Sequence, residues 1–158
     1  MKKTFYTLAL GLFLAFGWQS AKAQTPYNSA LGIVFDGHDG SNIGIQYKKA
    51  LTNTSAAQFQ VAFREHWFSF GADWQYEKAI PDLHNLSWYV GIGANVGLWS
   101  YKSNSEVFLG LRPQVGLEYK IPSAPLAMHI DYKPTFGLNH DAGFNGGGFT
   151  FGVKYVLK

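Results

Sequence analysis

Phe68-Ser69-Phe70-Gly71-Ala72-Asp73-Trp74-Gln75-Tyr76-Glu77 is the stretch whose reading decides the fold. Apolar residues at 68, 70, 72, 74 and 76 alternate with small or polar ones at 69, 71, 73, 75 and 77. The chain ends in the same rhythm. Phe149, Phe151, Val153, Tyr155 and Leu157 alternate with Thr150, Gly152, Lys154, Val156 and Lys158. Successive strand side chains point to opposite faces, so alternation over ten residues puts one face in an apolar medium and the other among polar groups. Nearly every segment after residue 27 behaves this way.

The first 23 residues read differently. Lys2 and Lys3 form a charged start, Leu8 to Trp18 an apolar stretch, and Ala21-Lys22-Ala23 a small-residue cleavage site before Gln24, the pattern of a secretory signal peptide. The apolar run falls short of the about 20 residues that a spanning helix needs. Removing 23 of the 158 residues leaves 135, one domain over 24–158. It also removes three of the 13 basic residues, leaving 10 against 10 acidic ones, so no basic patch argues for nucleic acid. The chain has no cysteine, hence no disulfide staple and no thiolate chemistry. A small exported domain without staples can find stability by closing its sheet in a bilayer, where every strand is paired.

Turn residues divide the rest into eight expected strands, 28–36, 41–50, 56–65, 67–79, 86–101, 106–121, 126–138 and 148–158. Gly37-His38-Asp39-Gly40, Thr52-Asn53-Thr54-Ser55, Pro81 to Asn85, Lys102-Ser103-Asn104-Ser105, Pro122-Ser123-Ala124-Pro125 and the Gly-rich loop Asn139 to Gly147 separate them. The break at Arg64-Glu65-His66-Trp67 carries no Gly or Pro and is inferred from length alone. An even strand count puts both termini on one side. That side is expected to be periplasmic, with the loops near 37–40, 64–67, 102–105 and 139–147 facing out of the cell. If Ile121 and Leu126 flank the Pro122–Pro125 turn, facing residues have numbers summing to 247, so Tyr119 meets Met128 and Glu118 meets His129. A one-residue slip would mix the faces.

Volume decides which face points inward. Eight strands enclose room for side chains or one small ligand, whereas the apolar face, from Leu31 and Ile33 to Ile130 and Tyr132, is crowded with large side chains. The polar face alternates with Gly32, Gly44, Gly71, Gly91, Gly93, Gly97, Gly110, Gly116 and Gly152, which suits a crowded interior holding Arg112 and Tyr89. Trp67, Trp74, Tyr76, Trp88, Tyr119, Tyr132 and Tyr155 stand where interfacial aromatic girdles are expected. The expected fold is all-β: a closed eight-stranded antiparallel up-and-down transmembrane β-barrel, apolar face to lipid and interior polar. A soluble lipocalin-like barrel is the alternative.

Leu86-Ser87-Trp88-Tyr89-Val90-Gly91-Ile92-Gly93, Gly116-Leu117-Glu118-Tyr119-Lys120-Ile121-Pro122 and Asp131-Tyr132-Lys133-Pro134 resemble the small eight-stranded outer-membrane barrels. These are the class of outer-membrane proteins A (its membrane domain), X and W. Within it, the sequence is most similar to small barrels of Bacteroidetes-type bacteria, which the Ala-Lys-Ala-Gln context at 21–24 also suits. The resemblance implies the outer membrane of a Gram-negative bacterium after cleavage near Ala23. It implies surroundings of outer-membrane lipid and lipopolysaccharide, the barrel-assembly machinery as partner during insertion, and a monomer. Such barrels often end on an aromatic residue; this chain ends Val156-Leu157-Lys158.

The polar face supplies the candidate site. Arg112, Glu118, Lys120, His129, Asp131 and Lys133 fall on two neighbouring strands, with Asp73 and Glu77 on another. Buried charges must pair or keep water, so these residues are expected to form a structural ion-pair network plugging the lumen, or to line a narrow conduction path. His38-Asp39, Glu65-His66 and His140-Asp141 could meet at one barrel end, but their spacing is not a metal motif, and neither a metal nor another cofactor is expected. A lipid-modifying enzyme would need a nucleophile, base and orienting acid on one face. His66 and Ser69 fall on opposite faces, and His84 and Ser87 at the periplasmic side. Gly143 to Gly148 lacks the lysine and helix of a phosphate loop and reads as a flexible hairpin loop. The expected function is a non-enzymatic structural or surface-interaction barrel of the envelope. A narrow channel for ions or small solutes and a lipid-modifying enzyme are the alternatives.

Overall fold

The computed structural model describes residues 25–37, 42–101, 104–139 and 143–157. The expected signal peptide, the pairs His38-Asp39 and His140-Asp141, and Lys102-Ser103 lie outside them. The strands are β1 (Ser29–Asp36), β2 (Asn42–Ala50), β3 (Ser55–Arg64), β4 (Trp67–Ala79), β5 (Leu86–Tyr101), β6 (Asn104–Lys120), β7 (Leu126–Tyr132), β8 (Thr135–Gly137), β9 (Phe144–Asn145) and β10 (Phe149–Leu157). They make eight staves, because β7 with β8 forms the seventh and β9 with β10 the eighth. Each stave pairs antiparallel with its sequence neighbour, and β1 pairs with both β2 and β10, which closes the barrel.

The alternation sorts the faces as the volume argument requires. Ile43, Ile92 and Ile130 are each 55–58% exposed on the outside, whereas Gln46, Gln58, Gln75, Lys48 and Lys154 are at most 1% exposed within. The buried apolar side chains among the described residues are Tyr27, Ala30, Val34, Ala56, Ala62, Tyr89 and Ala127, mostly small. This is a core of polar groups inside a shell of apolar ones, the inverse of a water-soluble barrel.

Several local expectations need correction. The loop placed at 102–105 is shorter, since Ser100 pairs with Ser105 and Tyr101 with Asn104. The unmarked break is a two-residue turn: Arg64 pairs with Trp67, and His66 takes the left-handed conformation (φ 61°) that reverses the chain. The Gly-rich run is not simply a hairpin loop, because Phe144–Asn145 pairs with Thr135 and Phe136. Between the pairs Tyr132–Phe149 and Thr135–Asn145, stave seven has two residues and stave eight three, Gly146-Gly147-Gly148. That extra residue makes a β-bulge.

The seventh stave breaks at Lys133-Pro134. Pairs whose numbers sum to 247 hold both below the break (Val115–Tyr132 to Lys120–Ala127) and above it (Leu111–Phe136, Gly110–Gly137). Carried through the gap, that register sets Pro113 opposite Pro134. Lys120 N donates towards β5, to Asn85 O, and Ile121 N across the turn to Leu126 O, so odd-numbered amides of β6 face stave seven. Leu138 N donates to Leu109 O, so even-numbered amides of stave seven face β6. Pro113 and Pro134 thus occupy a pair that would exchange two N–H···O bonds, and proline can donate neither.

Candidate functional site

The lumen holds three connected polar layers. Nearest the termini, Glu118 on β6 accepts from Lys48 on β2 (3.1 Å) and from Lys154 on β10, and Lys48 Nζ lies 2.8 Å from Glu77 on β4. Ser87 Oγ donates to Glu77 (2.7 Å), and Lys48 sits over the rings of Tyr27 and Tyr89 at 5.7 and 5.2 Å. In the middle, Asp131 accepts from Tyr89 Oη and Thr150 Oγ1 (2.5 Å each) and lies 3.1 Å from His129 Nδ1. The other ring nitrogen of His129 is 2.8 Å from Gln46 Nε2. Towards the hairpin end, Asp73 on β4 accepts from Arg112 Nη2 on β6 (3.0 and 3.1 Å) and from Lys133 (3.2 Å).

Glycine makes these cross-lumen bonds possible. Asp73, Gly93 and Arg112 are consecutive partners across β4, β5 and β6. A Cβ on Gly93 would lie 1.8 Å from Asp73 Oδ1, so only glycine lets the aspartate and arginine meet over β5. Tyr89, Gly116 and Asp131 repeat the arrangement across β5, β6 and β7, where a Cβ on Gly116 would lie 2.7 Å from Tyr89 Oη. Over Gly152, a Cβ would lie 2.2 Å from His129 Nε2.

The structure brings Asp73, Glu77, Arg112, Glu118, His129, Asp131 and Lys133 into this interior, each at most 5% exposed. Lys120 is the exception. Its Nζ turns down to the Ile121 and Ala124 carbonyls (2.7 Å each), where it caps the β6–β7 turn. Lys48, Lys154 and Tyr89 complete the network; the sequence pattern puts Lys48 and Tyr89 on the inward face, but none of the three was among the candidate network residues. Lys48, Lys154, Arg112 and Lys133 are matched in number by Glu77, Glu118, Asp73 and Asp131, and Asp36 on β1, which accepts from Gln60 Nε2 (3.3 Å), is a fifth buried acid. Several side-chain amides keep a buried atom without a protein partner, among them Gln46 Oε1, Gln75 Oε1 and Gln114 Nε2. Such atoms need water.

Above the upper layer the lumen widens into a vestibule of about 680 Å³ floored by Arg112 and Lys133. Trp67, Trp99 and Phe108, on β4, β5 and β6, form one wall. Trp67 therefore does not belong to a lipid-facing girdle: its indole fills the space over Gly97, 6.1 Å from the Phe108 ring. The alternation of β4 predicts this, since 67 shares the parity of Asp73. The outer aromatic contacts are others, such as Tyr76–Trp88 and Tyr132–Phe149 at 6.0 and 4.9 Å. At the rim, His66 lies 3.9 Å from Glu65.

Two solved structures have this architecture. The N-terminal β-barrel domain of Pseudomonas aeruginosa OprF aligns with a TM-score of 0.67 at 15% identity, covering 82% of this chain and 97% of that domain. Neisserial surface protein A, NspA, aligns with a TM-score of 0.52 at 13% identity, covering 82% and 94%. The chain shares their fold. At such identities the likeness is one of fold and not of activity. No family model and no curated protein matches the sequence.

Proposed function

We propose that this chain is an outer-membrane barrel of a Gram-negative bacterium, exported after cleavage near Ala23, with a non-enzymatic structural or surface role in the envelope. The observation that carries this reading is the lumen cross-linked by ion pairs inside an apolar outer shell. The shell needs lipid to cover it, and the interior is filled by ion pairs rather than arranged around a reactive group. OprF and NspA, both bacterial barrels of this fold, support the location. The narrower kinship with barrels of Bacteroidetes-type bacteria rests on the stretches 86–93, 116–122 and 131–134 and on the Ala-Lys-Ala-Gln context at 21–24. Outer-membrane lipid, lipopolysaccharide and the assembly machinery are the surroundings this reading supplies, with the barrel acting as a monomer.

One feature favours a narrow conduction path as the second reading: the buried amide atoms Gln46 Oε1, Gln75 Oε1 and Gln114 Nε2, which lack a protein partner, mark a hydrated interior. A fractionated outer membrane, run in detergent gels with and without boiling, followed by planar-bilayer recording of the unboiled species, separates the readings. A band that shifts on boiling and carries no discrete current supports the plugged barrel. Discrete current that changes in Arg112→Gln selects the channel. A non-shifting protein in the soluble periplasmic fraction overturns both.

A further inference from the structure

One row of side chains crosses four strands at the mouth of the vestibule. Arg64 pairs with Trp67, Trp67 with Trp99, and Trp99 with Glu106, so two indoles stand side by side between a cation and an acid. At a strand spacing of about 4.8 Å the row is about 14 Å wide. One step lower, Gly97 lies between Ser69 and Phe108, and its missing side chain leaves room for the Trp67 indole. All of these residues except Gly97 line the cavity.

This wall departs from the rest of the lumen. Below it, the buried rings of Tyr27 and Tyr89 both lie under the Lys48 ammonium. Trp67, Trp99 and Phe108 are only half-buried, and they line an open space. Apolar ring surface held open within a polar interior marks a contact surface.

The charges around it select no ion. Arg64, Arg112 and Lys133 line the vestibule together with Asp36, Glu65 and Glu106, and Asp73 takes both floor cations. No positive surplus draws an anion, and three cations standing among the acids oppose a free cation. What the lining offers instead is ring surface beside hydroxyl and amide groups, those of Ser69, Asn95 and Thr135. A ligand that matches both carries apolar faces and many hydroxyls on one uncharged frame. That is the chemistry of a sugar ring, whose C–H faces suit an indole and whose hydroxyls suit groups that donate and accept. The volume of about 680 Å³ lies within the range of small-molecule sites.

We propose that the vestibule binds a neutral saccharide, with a sugar ring laid against Trp67 and Trp99. Arg64 donates to its hydroxyls at one end of the row and Glu106 accepts from them at the other. The inference goes beyond the envelope role above and holds whether or not the lumen below conducts.

The test titrates neutral disaccharides (cellobiose, maltose, lactose and diacetylchitobiose) into the folded barrel in detergent, with the tryptophan indole N–H resonances observed by NMR. Sorbitol, which has the hydroxyls without the ring, and cyclohexanol, which has the ring with one hydroxyl, are the controls. At least one disaccharide is expected to shift Trp67 and Trp99 saturably, at least tenfold more tightly than either control, and to leave Trp74 and Trp88 on the outer face unmoved. Glucuronate and glucosamine, one charge of each sign, are expected to bind no more tightly than glucose. Lipopolysaccharide without its O-chain, added to the same micelles, distinguishes the source: tighter binding than the disaccharides assigns the site to sugars of the same leaflet, weaker binding to a glycan from outside. Trp99→Leu, which leaves the Trp67 indole over Gly97, is expected to weaken binding at least tenfold; Trp74→Leu is not. No saturable shift from any saccharide at millimolar concentration overturns the proposal, as does an equal response to disaccharide, sorbitol and cyclohexanol. So does undiminished binding in a Trp99→Leu protein that keeps its boiling shift. The comparison of compounds on the unaltered barrel decides the matter even if that variant does not fold.

Discussion

At the residue scale, the decisive device is a glycine placed between two polar partners on flanking strands. Asp73 and Arg112 bond across the strand between them because Gly93 has no Cβ. Gly93→Ala would set a methyl group on Asp73 Oδ1 and 2.6 Å from the Ala72 carbonyl, forcing the pair apart. A buried ion pair broken in this way costs about 3 kcal/mol or more. The folded band of Gly93→Ala should therefore convert at clearly lower urea than the parent's, whereas Gly147→Ala, whose Cβ meets only Asn145 Oδ1 at 3.4 Å, should match the parent. An unchanged midpoint for Gly93→Ala would show that the Asp73–Arg112 contact does not stabilise the barrel. Alternation was enough to place seven of the eight expected polar side chains inside, because parity alone decides the face. It could not identify Lys48 and Lys154 as the partners of Glu118: Lys48 comes from β2, brought near by closure, and Lys154 from β10, which reaches β6 only across β7. Lys120 has inward parity too, but it stands one residue from the turn, where a long flexible side chain reaches carbonyls sooner than the lumen.

At the scale of the element, the sheet is uneven. The β5–β6 ladder runs unbroken from Leu86–Tyr119 to Tyr101–Asn104, while the seam on the other side of β6 loses two hydrogen bonds at Pro113 and Pro134. One strand thus faces a continuous ladder on one side and an interrupted one on the other. Amides of Arg112 and Gln114 point to β5, and those of Leu111 and Val115 flank the seam. Local opening should follow the weaker side. In hydrogen exchange, Leu111 and Val115 are expected to exchange at least tenfold faster than Arg112 and Gln114, equivalent to about 1.4 kcal/mol less protection. Equal rates within the strand would mean that the proline gap is closed by other contacts. The prolines were visible in the sequence, but their facing each other was not. It follows from the register sum of 247, which the Pro122–Pro125 turn does specify, extended past a break that it does not. The bulge at Gly146–Gly148 was hidden for a related reason: a run of glycines signals freedom, and only the pairing of Phe144–Asn145 with Thr135–Phe136 shows how it is used.

For the whole molecule, the inversion of polarity is the governing fact, and tryptophan reports it. Trp74 and Trp88 lie on the outer face, with Trp74 48% exposed and Trp88 edge-on to Tyr76, while Trp67 and Trp99 line the vestibule. A membrane-spanning barrel presents an apolar band about 25 Å tall to acyl chains, so the outer pair must lie against lipid and the inner pair must not. Each tryptophan retained singly, the others replaced by phenylalanine, gives four proteins to insert into vesicles of lipid brominated along its acyl chains. Emission from Trp74 and Trp88 should be quenched strongly, and that from Trp67 and Trp99 should stay close to its level in unbrominated lipid. A soluble barrel with its apolar face inward would reverse the order or show no quenching, because its apolar set would be sealed from the bilayer. The volume argument anticipates the first result: more than two dozen large side chains cannot fit within eight strands, whereas glycine and a set of buried ion pairs can.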